Sequence, residues 1–231
     1  MSHLTVFASY NELAMTLSHH IMEALELGIK KRGSAVMAVS GGSTPLKLYE
    51  SLSQTEFPWE KVTITLTDER WVDNQSSDSN EKAIYEHLLI NHARVANFIP
   101  LKNVAQTAKA GELACHNRLS SIQIPFDYIL LGMGTDGHTA SLFPCAAETP
   151  LAMDLQTPLD AKAIQPTSVQ QERMTLTLPR ILRSERMGLL LTGETKKSLL
   201  DKINHGPEQS LPVEALIKQQ QTPLDIFYSP H

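Results

Sequence analysis

Cysteine is almost missing from this sequence, with two among 231 residues. Cys115 and Cys145 stand far apart and in no metal-ligand pattern, so neither a disulfide framework nor a zinc centre is expected, and a reduced, cytoplasmic protein is. Long apolar runs are absent as well. None approaches the roughly 18–20 residues needed to cross a bilayer, and Met1–Tyr10 lacks the basic and apolar segments of a secretory signal. Clustered positive charge is scarce. The formal net charge is −5, and the longest basic run, Lys30-Lys31-Arg32, suits the last turn of a helix. Duplex nucleic acid, which needs many neutralised phosphates, is therefore not an expected partner. Three familiar chemical signatures are missing too: the G-x-S-x-G elbow of a serine nucleophile, the Lys-Ser/Thr ending of a P-loop, and a dinucleotide-binding glycine triplet.

What is present is an alternation of apolar runs. Leu4–Ala8 reads as a strand, and Asn11–Lys31 carries Leu13, Leu17, Ile21 and Leu25 on one helical face, ending at Gly33. Ala35–Val39, Val62–Leu66, Phe126–Leu131 and Met187–Leu191 read as buried strands. Phe98-Ile99, Met174–Leu178 and Asp225–Tyr228 read as further strands. Helices are predicted from Pro45 to about Leu52 with Thr44 as N-cap, from after the polar loop Asp73–Ser79 to about Asn91, over Ala105–Leu119, after Gly193, and over Val213–Lys218. Cys145–Gln170, rich in Pro, Thr and Ala, reads as loop. Strands alternating with helices predict an α/β fold, a mostly parallel sheet covered on both faces, in one domain spanning residues 1–231.

Ligands of such sheets bind beyond the carboxyl ends of the strands, and the polar motifs fall there. Ser40-Gly41-Gly42-Ser43-Thr44 joins a strand to a helix, where backbone N–H groups and the helix N-terminus suit an anion. The missing P-loop and dinucleotide signatures favour a monophosphate over a nucleotide. Gly132-Met133-Gly134-Thr135-Asp136-Gly137-His138 places a titratable imidazole on a glycine-rich loop, with Asp136 near enough to orient it or to hold substrate. Asp68-Glu69-Arg70 follows another strand, and Arg70 offers fixed donors to a phosphate or carbonyl oxygen. Arg173 and Lys196 are cations at further inferred strand ends. His19-His20, His87 and His92 lack the spacing of a metal site. Together these motifs imply proton transfer or hydrolysis on an anionic ligand, with no metal and no cofactor.

In order and wording the motifs resemble the 6-phosphogluconolactonase family, within the larger sugar-phosphate isomerase/deaminase superfamily. The matching words are Ser40–Pro45, Thr67-Asp68-Glu69-Arg70-Trp71-Val72, Asp78-Ser79-Asn80, Gly132–Pro144, Arg173–Thr177 and Gly193–Lys196. The resemblance implies a three-layer α/β/α fold with a Rossmann-like sheet and hydrolysis of 6-phospho-D-glucono-1,5-lactone in the pentose phosphate pathway. It implies His138 as general base, Asp136 as its partner or a substrate ligand, and Arg70 at the carbonyl oxygen. Gly41, Gly42, Ser43, Thr44, Asp68, Arg173 and Lys196 would bind the phosphosugar, in a monomer or weak homodimer. The division of labour among Arg70, Arg173 and Lys196 stays open. Two alternatives are a deaminase-like isomerase and a non-catalytic sugar-phosphate sensor. The deaminases follow their His with a sequence whose Glu serves ring opening, whereas the fifth residue after His138 here is Phe143. The sensors usually carry a DNA-binding region for which no residues are left over.

Overall fold

The computed structural model describes residues 2–122, 125–207 and 210–231. In chain order the strands are β1 (Ser2–Val6), β2 (Ala35–Val39), β3 (Val62–Leu66), β4 (Asp68–Arg70), β5 (Asn97–Ile99), β6 (Tyr128–Gly132), β7 (Ala161–Ile164), β8 (Arg173–Leu176), β9 (Met187–Thr192) and β10 (Leu224–Ser229). The helices are α1 (Tyr10–Arg32), α2 (Leu46–Ser53), α3 (Asn80–His87), α4 (Ala108–Ser120), α5 (Thr149–Met153), α6 (Leu178–Leu182), α7 (Glu194–His205) and α8 (Pro212–Lys218).

Seven strands form one parallel sheet in the order β1-β10-β9-β6-β2-β3-β5. Its central strands are rich in apolar residues because helices cover them from both sides; every residue of β2 is buried and apolar. The stripe on α1 packs inward, with Leu13, Leu17 and Leu25 wholly inaccessible. Ser9 caps this helix by accepting the Glu12 N–H, and Gly33, at φ 82°, closes it in the left-handed region where glycine is unstrained. Lys30, Lys31 and Arg32 lie in its last turn, as expected.

From β2 the sheet grows one way through β3 and β5, and from β6 the other way through β9, β10 and β1. The carboxyl ends of β2 and β6 therefore flank the point where strand order reverses, the standard location of a ligand crevice.

The structure corrects several expectations. Asp68–Arg70 is a strand, paired antiparallel with β8, which pairs in turn with β7, making a second, three-stranded sheet. Arg173 thus begins a strand of this small sheet, opposite Arg70, and not one of the parallel sheet. The expected loop Cys145–Gln170 contains α5 and β7. The helix expected to reach Asn91 ends at His87, and a 3-10 turn spans Asn91–Val95. Helix α2 begins at Leu46 with Pro45, not Thr44, at the N-cap, and it has no side-chain cap because proline carries no side-chain acceptor; the Thr44 carbonyl accepts from the Tyr10 hydroxyl of α1. The short α6 was not anticipated.

Candidate active site

Four crossover connections meet at the carboxyl edge of the parallel sheet around a cleft of about 300 Å³. Its walls are the Ser40–Pro45 loop after β2, Asp68, Arg70 and Asn80 after β3, Gly132–Gly134, His138 and Ala140 after β6, and Lys196 after β9. The sequence motifs singled out for chemistry are thus gathered from distant stretches of chain. Asp136 does not line the cleft and reaches it only through His138, and Arg173 does not reach it at all. Arg173 is buried, it is absent from the cleft lining, and its guanidinium lies over the Phe143 ring, 5.9 Å from the centroid.

His138 is held on several sides. Its Nδ1 is 2.6 Å from Asp136 Oδ1, and its ring stacks on Phe143 at 4.2 Å between centroids. Its carbonyl accepts the Gly134 N–H, and the preceding Gly137 carbonyl accepts the Val213 N–H from the start of α8. A Cβ on Gly134 would stand 2.2 Å from the imidazole, so only glycine permits the ring to fold back over this turn. With Nδ1 donating to Asp136, Nε2 of the neutral ring is left as the proton acceptor. Beyond His138, Ala140 takes φ 48°, a strained non-glycine conformation of the kind that collects at functional sites. The tight turn that imposes it is closed by the Leu142 N–H to the Thr139 carbonyl, and Thr139 Oγ1 donates to the Gly132 carbonyl, 2.8 Å away.

The rest of the lining is rich in donors. Among the described residues, none accepts a hydrogen bond from the N–H of Gly41, Gly42, Ser43 or Thr44. Gly42 sits at φ 88°, and a Cβ on Gly41 would meet Asn80 Oδ1 at 1.9 Å, so this loop passes unusually close to α3. Lys196, in the first turn of α7, is half-buried and lines the cleft. No carboxylate pairs with it among the described residues, and burial holds its ammonium below the usual lysine range. Unpaired amides beside an unpaired ammonium form a site for a compact anion.

Arg70 and Asp68 complete the lining. Arg70 Nη1 donates to the Asp78 carbonyl at 2.5 Å, which fixes one arm of its fork. Asp68 Oδ2 accepts the Ser141 hydroxyl at 2.6 Å, and the Asp68 carbonyl accepts Asn80 Nδ2 at 2.8 Å.

Sequence reasoning passed over Glu69. Its buried carboxylate accepts the N–H groups of Arg70, Asn80 and Glu81 at 2.7–2.8 Å, and so ties β4 to the start of α3. Burial pushes its carboxyl up to about 7, although these N–H donors favour the ionised form. Asn80 and Ser141 were also passed over as site residues. Their polar neighbours are remote in sequence, and only the three-dimensional arrangement reveals them.

Residues 8–224 match the family described as glucosamine-6-phosphate isomerases/6-phosphogluconolactonase. The chain belongs to this family. Within it, the chain is 35% identical to the 6-phosphogluconolactonase of Rhizobium meliloti over 230 residues, covering 99% of each sequence. It is 37% identical to that of Pseudomonas aeruginosa, covering 98% of this chain and 94% of the relative. A crystal structure of a 6-phosphogluconolactonase from Shewanella baltica superposes with a TM-score of 0.95 at 40% identity, covering 99% of this chain and 98% of the other. The three-layer α/β/α arrangement expected from the sequence is thus the fold of the lactonase branch of the family.

Proposed function

We propose that the whole chain acts as one catalytic domain that hydrolyses 6-phospho-D-glucono-1,5-lactone to 6-phospho-D-gluconate, a step of the pentose phosphate pathway, with no covalent intermediate and no cofactor. The observation that carries the mechanism is that His138, paired with Asp136, lines the same cleft as the unpaired amides and Lys196. A cleft of about 300 Å³ lies at the lower end of small-molecule sites, suiting a hexose phosphate better than a dinucleotide.

The phosphate rests on the N–H groups of Gly41–Thr44 and on Lys196, which places C1 of the lactone toward His138 and Arg70. Nε2 of His138 takes a proton from water as the water oxygen bonds to C1. The carbonyl oxygen gains the negative charge, and Arg70 faces it. When the C1–ring oxygen bond breaks, the imidazolium returns the proton to the ring oxygen, leaving a free hydroxyl and a carboxylic acid that ionises. Asp136 holds the imidazole in the required tautomer. Asp68 accepts from the sugar hydroxyls, and Arg173 contributes positive charge from behind Phe143.

The test is single-turnover hydrolysis of fresh lactone by His138→Ala. The expected loss is about 10²-fold or more, the range for a removed general base, with an unchanged fold. Activity within threefold of the parent excludes His138 from the chemistry.

The deaminase-like alternative gains no support from the site. Phe143 stacks on the imidazole, and a phenyl ring cannot titrate.

A further inference from the structure

Each planar, trans peptide unit sets its C=O and N–H in opposite directions, so fixing a carbonyl on one side of a loop aims the following amide to the other. Two tyrosine hydroxyls grip the Ser40–Thr44 loop from the protein interior. Tyr49 of α2, wholly buried, donates to the Ser40 carbonyl at 2.5 Å. Tyr10 of α1 donates to the Thr44 carbonyl. Neither tyrosine lines the cleft, whereas Ser40 through Pro45 all do, so both carbonyls point away from the ligand space. The consequences differ. The peptide after Ser40 carries the N–H of Gly41. The peptide after Thr44 ends at Pro45, which has no N–H to aim.

We propose that Tyr49 is a positioning residue whose hydroxyl, by holding the Ser40 carbonyl against the core, turns the Gly41 N–H into the cleft as a donor to the substrate's phosphate. The inference rests on the reading of this loop as the phosphate cradle. Burial pushes the Tyr49 phenol upward, so it remains a hydroxyl donor throughout the working pH range. Tyr10 braces the same loop without aiming an amide, and it supplies the internal control.

The experiment compares Tyr49→Phe, Tyr10→Phe and the parent. Inorganic phosphate is titrated as a competitive inhibitor, and the amide signals of Gly41–Thr44 are followed by NMR during the titration. In Tyr49→Phe, phosphate affinity should fall about tenfold, the worth of one charge-assisted hydrogen bond. The KM for phosphorylated lactone should rise in parallel. The kcat, and kcat/KM for unphosphorylated gluconolactone, should stay within about twofold, and the phosphate-induced shift of the Gly41 amide should shrink. Tyr10→Phe should leave phosphate affinity within about twofold of the parent. Equal losses in the two variants would reduce Tyr49 to a loop brace and overturn the proposal, as would unchanged phosphate affinity in Tyr49→Phe. If the parent's Gly41–Thr44 amides ignore phosphate altogether, the cradle reading itself fails. If they respond equally in parent and Tyr49→Phe, only the role of Tyr49 does.

Discussion

The parallel sheet has a concave surface at each end, and the two treat charge in opposite ways. At the amino edge, a hollow of about 560 Å³ is lined by Lys30, Lys31, Arg32, Asp127, Glu185 and Arg186. Its cations are matched: Arg32 with buried Asp127, Lys31 with Glu185, Lys30 with Glu26, and Arg186 with both Asp225 and Glu23. At the carboxyl edge the cleft is smaller, yet Lys196 has no carboxylate partner among the described residues and four consecutive loop amides have no acceptor. The larger hollow is thus the one whose cations already have carboxylate partners. A half-buried ammonium and solvent-facing loop amides with no partner among the described residues leave a place that an anionic ligand can complete.

This contrast predicts that changes at the amino edge cost stability and spare activity, while changes at the carboxyl edge do the reverse. The largest effect should come from Asp127→Ala. It strands Arg32 and removes the acceptor of the Val36 N–H, 2.8 Å from Asp127 Oδ2. Breaking a buried pair costs about 3–5 kcal/mol, readable from urea unfolding, with kcat per folded molecule unchanged. A matching fall in kcat would break the comparison. Next is Lys196→Ala, which should lower kcat/KM for phosphorylated lactone about ten- to a hundredfold, the value of a charge-assisted contact of about 1.5–3 kcal/mol. Unphosphorylated lactone should be unaffected and the Tm not lowered. Arg70→Ala sharpens this result, since loss of the oxyanion partner should harm both substrates alike.

A smaller effect concerns pH. Folding lowers the pKa of Lys196, so its charge opposes folding at neutral pH, and this penalty is relieved as pH rises. The same deprotonation weakens phosphate binding. The KM for phosphorylated lactone should therefore climb on the alkaline side earlier than an ordinary lysine would cause, and Lys196→Arg should push that climb to higher pH. Last comes an expected null effect. No group of three or more His, Cys, Asp or Glu side chains is arranged to hold a metal among the described residues. Activity should therefore survive exhaustive chelation, and a loss restored by added metal would refute this.

Legibility in the sequence followed burial. Ala35–Val39 and Val62–Leu66 are strands at the expected residues, because both lie in the sheet interior, where β2 is wholly apolar and β3 alternates apolar residues with β-branched Thr63 and Thr65. Of the second sheet only β8 was legible, near Met174–Leu178, and its partners β4 and β7 were missed for the converse reason. Asp68–Arg70 is charged, and it becomes a strand only by pairing with β8, far along the chain. In β7, Lys162 interrupts the apolar pattern, and it is tolerated there because Glu112 of α4 pairs with it at 3.0 Å. The loop Gly132–His138 was legible because its glycines, Asp136 and His138 lie within seven residues. The groups that hold it and its neighbours were not. Tyr49 looks like one more core aromatic of α2, and Glu69 like one more surface acid, until their hydrogen-bond partners are seen.

The topology also dictates a timetable. Among the described residues, strand β1 pairs only with β10, which follows every other strand in chain order. Ser2–Val6 therefore stays unpaired while the rest of the sheet is synthesised, and it docks after Leu224–Ser229 has emerged. Such a strand is exposed to misassociation until then. Its composition moderates that risk: it is five residues long, with polar Ser2, His3 and Thr5 among them, and takes the sheet's outer edge. The nascent chain thus carries the sheet's last piece ahead of all the others.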